Sequence, residues 1–366
     1  MQIDDAPDPC GPLHQDRRSP MEHRRLVQAV QRNCDRVDAM RARDRSLCTY
    51  LLGMREYYRW QIGSSAGTVP DKNAVGGWIA QREEQWDRLL EGGAGSQWEA
   101  LPLASGIAPF DESCANRNLA GSGLVYGAGV GRFGAPVFFL ARLGSTQLRD
   151  RITVVFAEEE LARGFDAPPA VSRNDTIIIR RDALRRWLWT RKEMAANPAG
   201  GSAFGLALRE YERASSPDAA IDAMVDGETE TLVLHELGEI AAGRLLGEQW
   251  HAMLAASGSR HAELVLRAIR DLMADSLVTL PTLISRNARA SLEFWFANLD
   301  GARRVLGAKL LAAKSPHRQG IDIGMLEAQC RDARDAWRAL AESALLAWRR
   351  DGAAGVESFA RHIVPG

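Results

Sequence analysis

The sequence predicts a predominantly helical α+β protein in which a small antiparallel sheet precedes a helical region. Short β-branched or aromatic segments are confined to residues 101–200. Elsewhere, apolar residues recur at the three- and four-residue spacing of helices. One strongly helical segment within residues 201–366 also concentrates polar side chains, which makes it the candidate functional region.

Composition divides the chain into four parts. Residues 1–20 are polar, contain proline and lack periodicity, so we expect a disordered leader. Residues 21–100 are predicted to be a helical region, and residues 101–200 to be a small sheet with flanking helices. Residues 201–366 are predicted to be helices packed around the polar segment. The predicted helices of the second part cover residues 21–33, 43–62 and 73–90.

Three short strands are predicted, at Val137–Leu140, Ile152–Phe156 and Thr176–Ile179. Each is rich in β-branched or aromatic residues and is bounded by Gly, Pro, Asn or Asp. Glu158–Glu160 follows the second strand and is predicted to begin a short helix, because acidic side chains stabilise the first turn of a helix.

A glycine-rich segment precedes the first of these strands. Gly129, Gly131 and Gly134 satisfy the pattern G-x-G-x-x-G. A dinucleotide-binding fingerprint must follow a strand and open a helix, whereas here Pro136 and a strand-like run come next. The segment therefore favours a bend that leads into a hairpin over nucleotide binding.

The composition is that of a globular protein with a sizeable core, at 46% hydrophobic and 25% charged residues. A net charge of -1 creates no overall field for nucleic acid or an anionic membrane. No apolar run reaches the length of a membrane span, and the N-terminus lacks the layout of a signal peptide. The five cysteines are scattered without a C-x-x-C pair, so no disulfide framework is indicated and a cytoplasmic location is expected.

One basic segment, Arg180–Lys192, has six Arg or Lys among thirteen residues and includes Trp187 and Trp189. Basic residues interleaved with aromatics can bind nucleic acid. Because the net charge is near zero, a solvated helix face paired with acidic neighbours is favoured. The expected partner is a small-molecule or peptide substrate, without a membrane or nucleic acid, and the sequence leaves the oligomeric state open.

The polar helical segment contains His235-Glu236-Leu237-Gly238-Glu239. A helix turns about 100° per residue, so His235 and Glu239 project from one face, one turn apart, with Glu236 beside them. Apolar neighbours predict that these side chains are partly buried, and a buried charge needs a partner or a cation. His235 and Glu239 are therefore candidate ligands of a metal ion.

The run Leu234–Gly238, LHELG, resembles the active-site helix of zincin metallopeptidases. In that family, two histidines four residues apart bind zinc, and the glutamate after the first is the general base. This chain departs from the pattern at Glu239, where the family has its second histidine. The resemblance implies that Glu236 is the catalytic base, that a sheet precedes the metal helix, and that an amide or peptide bond is hydrolysed.

The resemblance also implies a third ligand from a later helix. Asp271 and Asp275 are four residues apart on the next predicted helix, and either would complete the set. One histidine with two carboxylates suits iron or manganese as well as zinc, the metal that the resemblance implies.

Two other functions stay open. The helical half resembles a di-iron carboxylate oxidase in offering carboxylates and histidines from several helices, although the usual Glu-x-x-His pairs are absent. The second alternative is a non-enzymatic helical interaction protein, in which His235, Glu236 and Glu239 form an ion-pair cluster. The opening helical segments also resemble an uncharacterised bacterial family of unknown function, which adds no chemistry.

Overall fold

The computed structural model describes residues 19–65, 67–93, 97–104, 106–173, 175–195, 203–211, 216–314 and 320–365. Apart from Ser19 and Pro20, the predicted leader lies outside these residues. The chain divides into two compact units, residues 1–190 and 191–366. The predicted helical region 21–100 and most of the predicted sheet region thus belong to one unit.

The helices α1 to α4 of the first unit each begin after a residue whose side chain accepts a hydrogen bond from the first turn. These helices are α1 (Pro20–Arg41), α2 (Leu47–Gln61), α3 (Lys72–Glu91) and α4 (Glu112–Leu119). The capping residues are Ser19, Ser46, Asp71 and Asp111. At α1, Glu22 bonds back to the backbone of Ser19 and completes a capping box, which fixes where the helix begins.

The sheet of the first unit has five strands in the order β1-β2-β3-β5-β4. The strands are β1 (Leu124–Val130), β2 (Pro136–Arg149), β3 (Ile152–Arg163), β4 (Ala170–Arg173) and β5 (Thr176–Arg180). The three predicted strands are confirmed as parts of β2, β3 and β5. The glycine-rich segment forms the last part of β1 and the bend into β2, so the predicted bend is confirmed, whereas the strand β1 was not predicted.

The sheet is mixed, so the prediction of an antiparallel sheet is wrong at one pairing. β3 and β5 are parallel, with Val155 paired to Ile178, and the other neighbours are antiparallel. Residues 164–169 lead from β3 to β4, which is not its neighbour in the sheet. The strand β5 then occupies the position between β3 and β4. Because β4 and β5 form a hairpin, β5 enters the sheet beside β3 in the same direction.

The helix predicted from Glu158–Glu160 is wrong, because these residues continue β3. Glu158 and Glu159 are exposed on the strand, whereas Glu160 is buried. Arg180 of β5 donates a hydrogen bond from Nε to Glu160 Oε1 at 2.6 Å, so the buried carboxylate has a cationic partner. This pairing, which depends on the tertiary fold, outweighs the preference of acidic residues for a helix start.

The helix α5 (Arg181–Ala195) follows directly on β5, and the division between the units falls inside it. The described elements of the second unit are almost all helical, as predicted. They are α6 (Ala203–Arg209), α7 (Pro217–Leu246), α8 (Glu248–Ala255), α9 (Arg260–Ala274), α10 (Leu280–Ser285), α11 (Arg289–Ala297), α12 (Gly301–Leu306), α13 (Ala308–Leu311) and α14 (Ile323–Ile363).

Two features shape the place where α7 and α9 meet. Gly238 of α7 packs directly on the backbone of Ala274, the last residue of α9. The chain then makes a π-helical turn, Asp275–Thr279, in which the Leu280 N–H donates to the carbonyl oxygen of Asp275, five residues back. Such turns occur often at functional sites, and this one directly follows the closest approach of the two helices.

Among the described cysteines, Cys34, Cys48 and Cys330 are free thiols. None of the helices formed by the described residues combines the length and apolar character that crossing a membrane requires.

Candidate metal centre

Helices α7 and α9 and the π turn bring together four of the predicted site residues. His235 and Glu239 stand one turn apart on α7, with side chains 21% and 17% exposed. Asp271 lies in the last turn of α9 and Asp275 begins the π turn. The absence of a side chain at Gly238 lets the two helices approach closely enough for these groups to meet.

Three of the four offer ligand atoms at a spacing that suits a metal ion. Ligand atoms of His235, Glu239 and Asp271 all lie within 4.8 Å of one another, and no other such group occurs in the described part of the chain. Nitrogen and oxygen ligands of zinc lie about 2.0–2.2 Å from the ion, so donors in a closed site are about 3–4 Å apart. The three donors are therefore spaced somewhat more widely than those of a closed zinc site.

Asp275 has a different position, on the other side of the imidazole. His235 Nδ1 lies 2.8 Å from Asp275 Oδ1, and His235 Nε2 lies 3.4 Å from Glu239 Oε1. A hydrogen bond from Nδ1–H to Asp275 fixes the ring and directs Nε2 toward Glu239. Metal-binding histidines are commonly oriented by a carboxylate in this way.

Two arginines complete the cluster. Arg270 Nη2 lies 2.8 Å from Glu239 Oε1 and 3.3 Å from Asp271 Oδ1, and Arg303 Nη2 lies 2.6 Å from Asp275 Oδ2. Neither arginine was predicted from the sequence. Arg270 adjoins Asp271 in sequence, which was an available signal. Arg303 is 28 residues from Asp275, and no local pattern links the two.

The charges in the cluster depend strongly on one another. Burial disfavours the ionised form of Asp275, but His235 and Arg303 outweigh it and lower its pKa to about 2. Burial likewise opposes the charge of His235, yet Asp275 and Glu239 hold its pKa well above the usual range. The two carboxylates thus favour the positively charged form of the imidazole.

The remaining two carboxyls differ from each other. Burial acts against ionisation of Glu239, but Arg270 and His235 outweigh it and lower its pKa. Burial raises the pKa of Asp271, and the nearby charge of Glu239 adds to that shift. Asp271 is therefore the carboxyl of the cluster whose charge is least stabilised by its surroundings.

Family models match the chain over both units. Residues 25–180 match the N-terminal domain, and residues 185–365 the C-terminal domain, of a family of unknown function, DUF6866. The chain belongs to the DUF6866 family. No curated protein and no solved structure matches it. The boundary between the two family domains falls close to the division between the two compact units.

In this DUF6866 protein, Glu236 is buried at 8% exposure and lies outside the group of three ligand atoms. Its charge nevertheless contributes to raising the pKa of Arg270, although burial is the largest influence on that pKa and acts to lower it. Glu236 therefore lies within electrostatic range of the cluster.

Other carboxylates of the helical half are bound elsewhere. Glu228 accepts hydrogen bonds from the hydroxyls of Tyr211 at 2.8 Å and Thr231 at 2.7 Å, and Glu293 pairs with Lys314. Neither joins the His235 group, although a di-iron site would need further carboxylates there. His251 is exposed, with Nδ1 3.3 Å from the carbonyl oxygen of Gly247.

Proposed function

We propose that this DUF6866 protein is a metal-dependent hydrolase whose site holds one divalent cation. His235 Nε2, Glu239 and Asp271 are the ligands, and Asp275 is the positioning residue that orients the imidazole. The observation that carries the proposal is the contact of His235 Nδ1 with Asp275 at 2.8 Å, with Nε2 on the side of Glu239 and Asp271. This contact favours Asp271 over Asp275 as the third ligand.

The donor set decides which cations fit. One imidazole and two carboxylates suit zinc, iron or manganese, and the resemblance of LHELG to the zincin helix favours zinc. An incoming cation competes with Arg270 for Glu239 and Asp271, because the guanidinium already contacts both. Binding would therefore require Arg270 to release these carboxylates and His235 Nε2 to lose its proton to solvent.

The chemistry proposed is hydrolysis of an amide or peptide bond. A bound cation of this kind lowers the pKa of a coordinated water and polarises a carbonyl. Glu236 takes the proton from the attacking water and returns it to the leaving amine, which is the role of the general base. Its position beside His235 on α7 and the influence of its charge on the pKa of Arg270 support this assignment.

The deciding experiment is metal analysis of protein purified without chelators, followed by titration of the metal-stripped protein with zinc and manganese by calorimetry. We expect one ion per chain in the wild type. His235→Ala should lose it, whereas the control His251→Ala, which replaces an exposed histidine, should retain it. Equal metal content in the two variants would refute the site.

A second candidate function rests on the arginines. Glu239 has Arg270 as a partner, and Asp275 has Arg303, so the guanidinium groups already pair with the carboxylates in a connected ionic network. This arrangement supports a helical interaction protein in which the network holds α7 to α9. Absence of metal from the wild type and absence of binding in the titration would favour this function.

A further inference from the structure

The glycine-rich strand β1 gives one face of the sheet an unusual shape. Side chains alternate between faces along a strand, so Val125, Gly127 and Gly129 belong to the same side. Their partners on β2 are Ala141, Phe139 and Val137. Two successive positions on this face of β1 therefore carry no side chain. The opposite face holds Leu124 and Tyr126 and packs into the core with α1 and α4.

The two glycines have different roles. A Cβ on Gly127 would lie 2.0 Å from the Phe139 ring, so this glycine lets the ring lie flat against the strand. A Cβ on Gly129 would meet nothing within 4 Å, so the space beside it is open. Glycine inside a strand often marks a place where a ligand approaches the backbone.

The open space belongs to two adjoining cavities of about 410 Å³ and 330 Å³. Both are lined by Phe110, Glu112, Arg173, Thr176 and Ile178, and the second also reaches Gly129. Pockets for small molecules have volumes of about 300–1,000 Å³ and combine an apolar lining with a few polar groups. Both cavities have that size, and the second, which reaches Gly129, is mainly apolar, whereas the first is about half polar.

The polar groups lie where the two cavities adjoin. Arg173 Nη1 is 3.9 Å from Glu112 Oε2 and donates to the carbonyl oxygen of Ala128 at 3.1 Å. The Glu112 side chain is 16% exposed and accepts a hydrogen bond from the Ala128 N–H, while Arg173 is 54% exposed. Burial raises the pKa of Glu112. A loosely paired carboxylate and guanidinium thus lie side by side at the edge of the mainly apolar second cavity.

We propose that this face of the sheet binds a small, mainly apolar molecule that carries one amide-type group, such as a carboxamide or a lactam ring. The amide N–H donates to Glu112, and the amide carbonyl accepts from Arg173. Glu112 repels a carboxylate at this position and Arg173 repels an amine, so a neutral group that offers both a donor and an acceptor fits best. The apolar body lies over Gly129 and Ile178.

This proposal involves the first unit alone and does not depend on the metal site. Its test is calorimetric titration of the full-length wild type with naphthalene-2-carboxamide. Naphthalene-2-carboxylate and methyl naphthalene-2-carboxylate serve as matched probes without the amide N–H. We expect the carboxamide to bind at least about tenfold more tightly than either, as loss of a hydrogen bond to a charged group predicts.

Two variants locate the site. Gly129→Leu places a side chain in the open space and should abolish binding, whereas Gly76→Leu is the control, because a Cβ at Gly76 also meets nothing within 4 Å. Arg173→Met keeps much of the apolar length and should weaken binding of the carboxamide and the ester alike, because the carbonyl oxygen of each accepts from Arg173. Because Arg173 is half-exposed, this variant tests the proposal even if Gly129→Leu fails to fold.

The proposal is overturned if the carboxamide does not bind the wild type at about 1 mM, the weak end of specific affinity. Equal binding of the carboxylate overturns the assignment of the amide-type group. Unchanged binding by folded Gly129→Leu places the ligand elsewhere and also overturns it.

Discussion

Gly238 of α7 lies against the backbone of Ala274 of α9, such that a Cβ on Gly238 would come within 2.5 Å of the Ala274 carbonyl oxygen. The backbone cannot move away as a flexible side chain could. Gly238→Ala should therefore separate the two helices and lower the free energy of unfolding by about 1–3 kcal/mol, the usual cost of overpacking. Urea denaturation monitored by circular dichroism measures this loss.

Gly243→Ala is the matched control on the same helix. A Cβ at Gly243 would contact only the His251 ring, at 3.6 Å and 3.7 Å, which is ordinary van der Waals contact. Alanine also has the higher helix propensity, so this variant should be no less stable than the wild type. Equal destabilisation by both changes would mean that the contact with Ala274 does not hold the helices together.

Asp275→Asn removes the negative charge between His235 and Arg303. We expect the free energy of unfolding to fall by about 3 kcal/mol, because breaking a buried ion pair leaves its partner uncompensated. If His235 binds a metal, the affinity should also fall by about 10–100-fold. Chemical denaturation and metal titration measure the two effects.

Glu327→Gln provides the comparison for Asp275→Asn, because Glu327 pairs with Arg331 on the surface of α14 and is 56% exposed. This change should alter the stability by less than about 1 kcal/mol and leave metal affinity unchanged. A similar loss of stability in both variants would contradict a special role for Asp275.

Glu236→Gln distinguishes a base from a ligand. The amide preserves the shape of the side chain but cannot accept the proton, so the variant should keep the metal and lose turnover. Metal content by elemental analysis and hydrolysis of a peptide mixture followed by mass spectrometry give the two readouts. Loss of the metal would instead make Glu236 a ligand and favour a site with more carboxylates.

Glu239→His restores the two-histidine spacing from which this chain departs. If Glu239 is a ligand, the variant should retain metal, with its preference moved toward zinc because imidazole is the softer donor. If Glu239 is only an ion-pair partner of Arg270, stability should fall by about 0.5–3 kcal/mol without a gain in zinc affinity. Titration and thermal unfolding of both proteins separate these results.

The buried Asp38 predicts a pH effect on stability in the first unit. Burial holds the pKa of Asp38 well above its usual value, while both of its carboxylate oxygens lie 2.9 Å from the Phe165 nitrogen. A raised native pKa stabilises the fold at low pH, and this contribution is lost as pH rises through the native pKa. An asparagine at position 38 can still accept the hydrogen bond from the Phe165 N–H but carries no charge. The free energy of unfolding of Asp38→Asn should therefore rise relative to that of the wild type as pH increases above about 4.

Asp87→Asn should show the opposite trend. Asp87 is exposed, and its hydrogen bond with Arg43 lowers its pKa. The contribution of Asp87 is present above its unfolded pKa and is lost as pH falls through the lower native pKa. The variant should therefore lose stability relative to the wild type as pH rises through the acid range. Urea midpoints of the three proteins at several pH values test both signs.

Local spacing was sufficient to predict much of the candidate site. His235 with Glu239, and Asp271 with Asp275, each follow from the four-residue spacing of one helix face. Which side of the His235 imidazole each aspartate meets does not follow, because it depends on how α9 packs against α7. Arg303 reaches the cluster only through tertiary packing, to which no local pattern refers.

The sheet was less predictable for similar reasons. β1 was missed because Gly127 and Gly129 interrupt its β-branched character, and β4 because it has only 4 residues. The order of the strands depends on where residues 164–169 cross the sheet, which composition does not reveal. Glu160 was predicted to lie in a helix and lies in β3, because its partner Arg180 is 20 residues away and no local pattern indicates the pairing.

The π turn at Asp275–Thr279 also constrains how the chain can vary in length. It contains one residue more than an α-helical path would, and Pro281 follows without an N–H to donate. Deleting one residue here would rotate α10 by about 100° about its axis and turn the buried Leu280 and Leu283 away from the core. Surface loops tolerate insertions and deletions, but a change of length in this turn would misorient buried residues. DUF6866 chains should therefore keep a constant number of residues between Asp275 and Leu283, whatever side chains they carry.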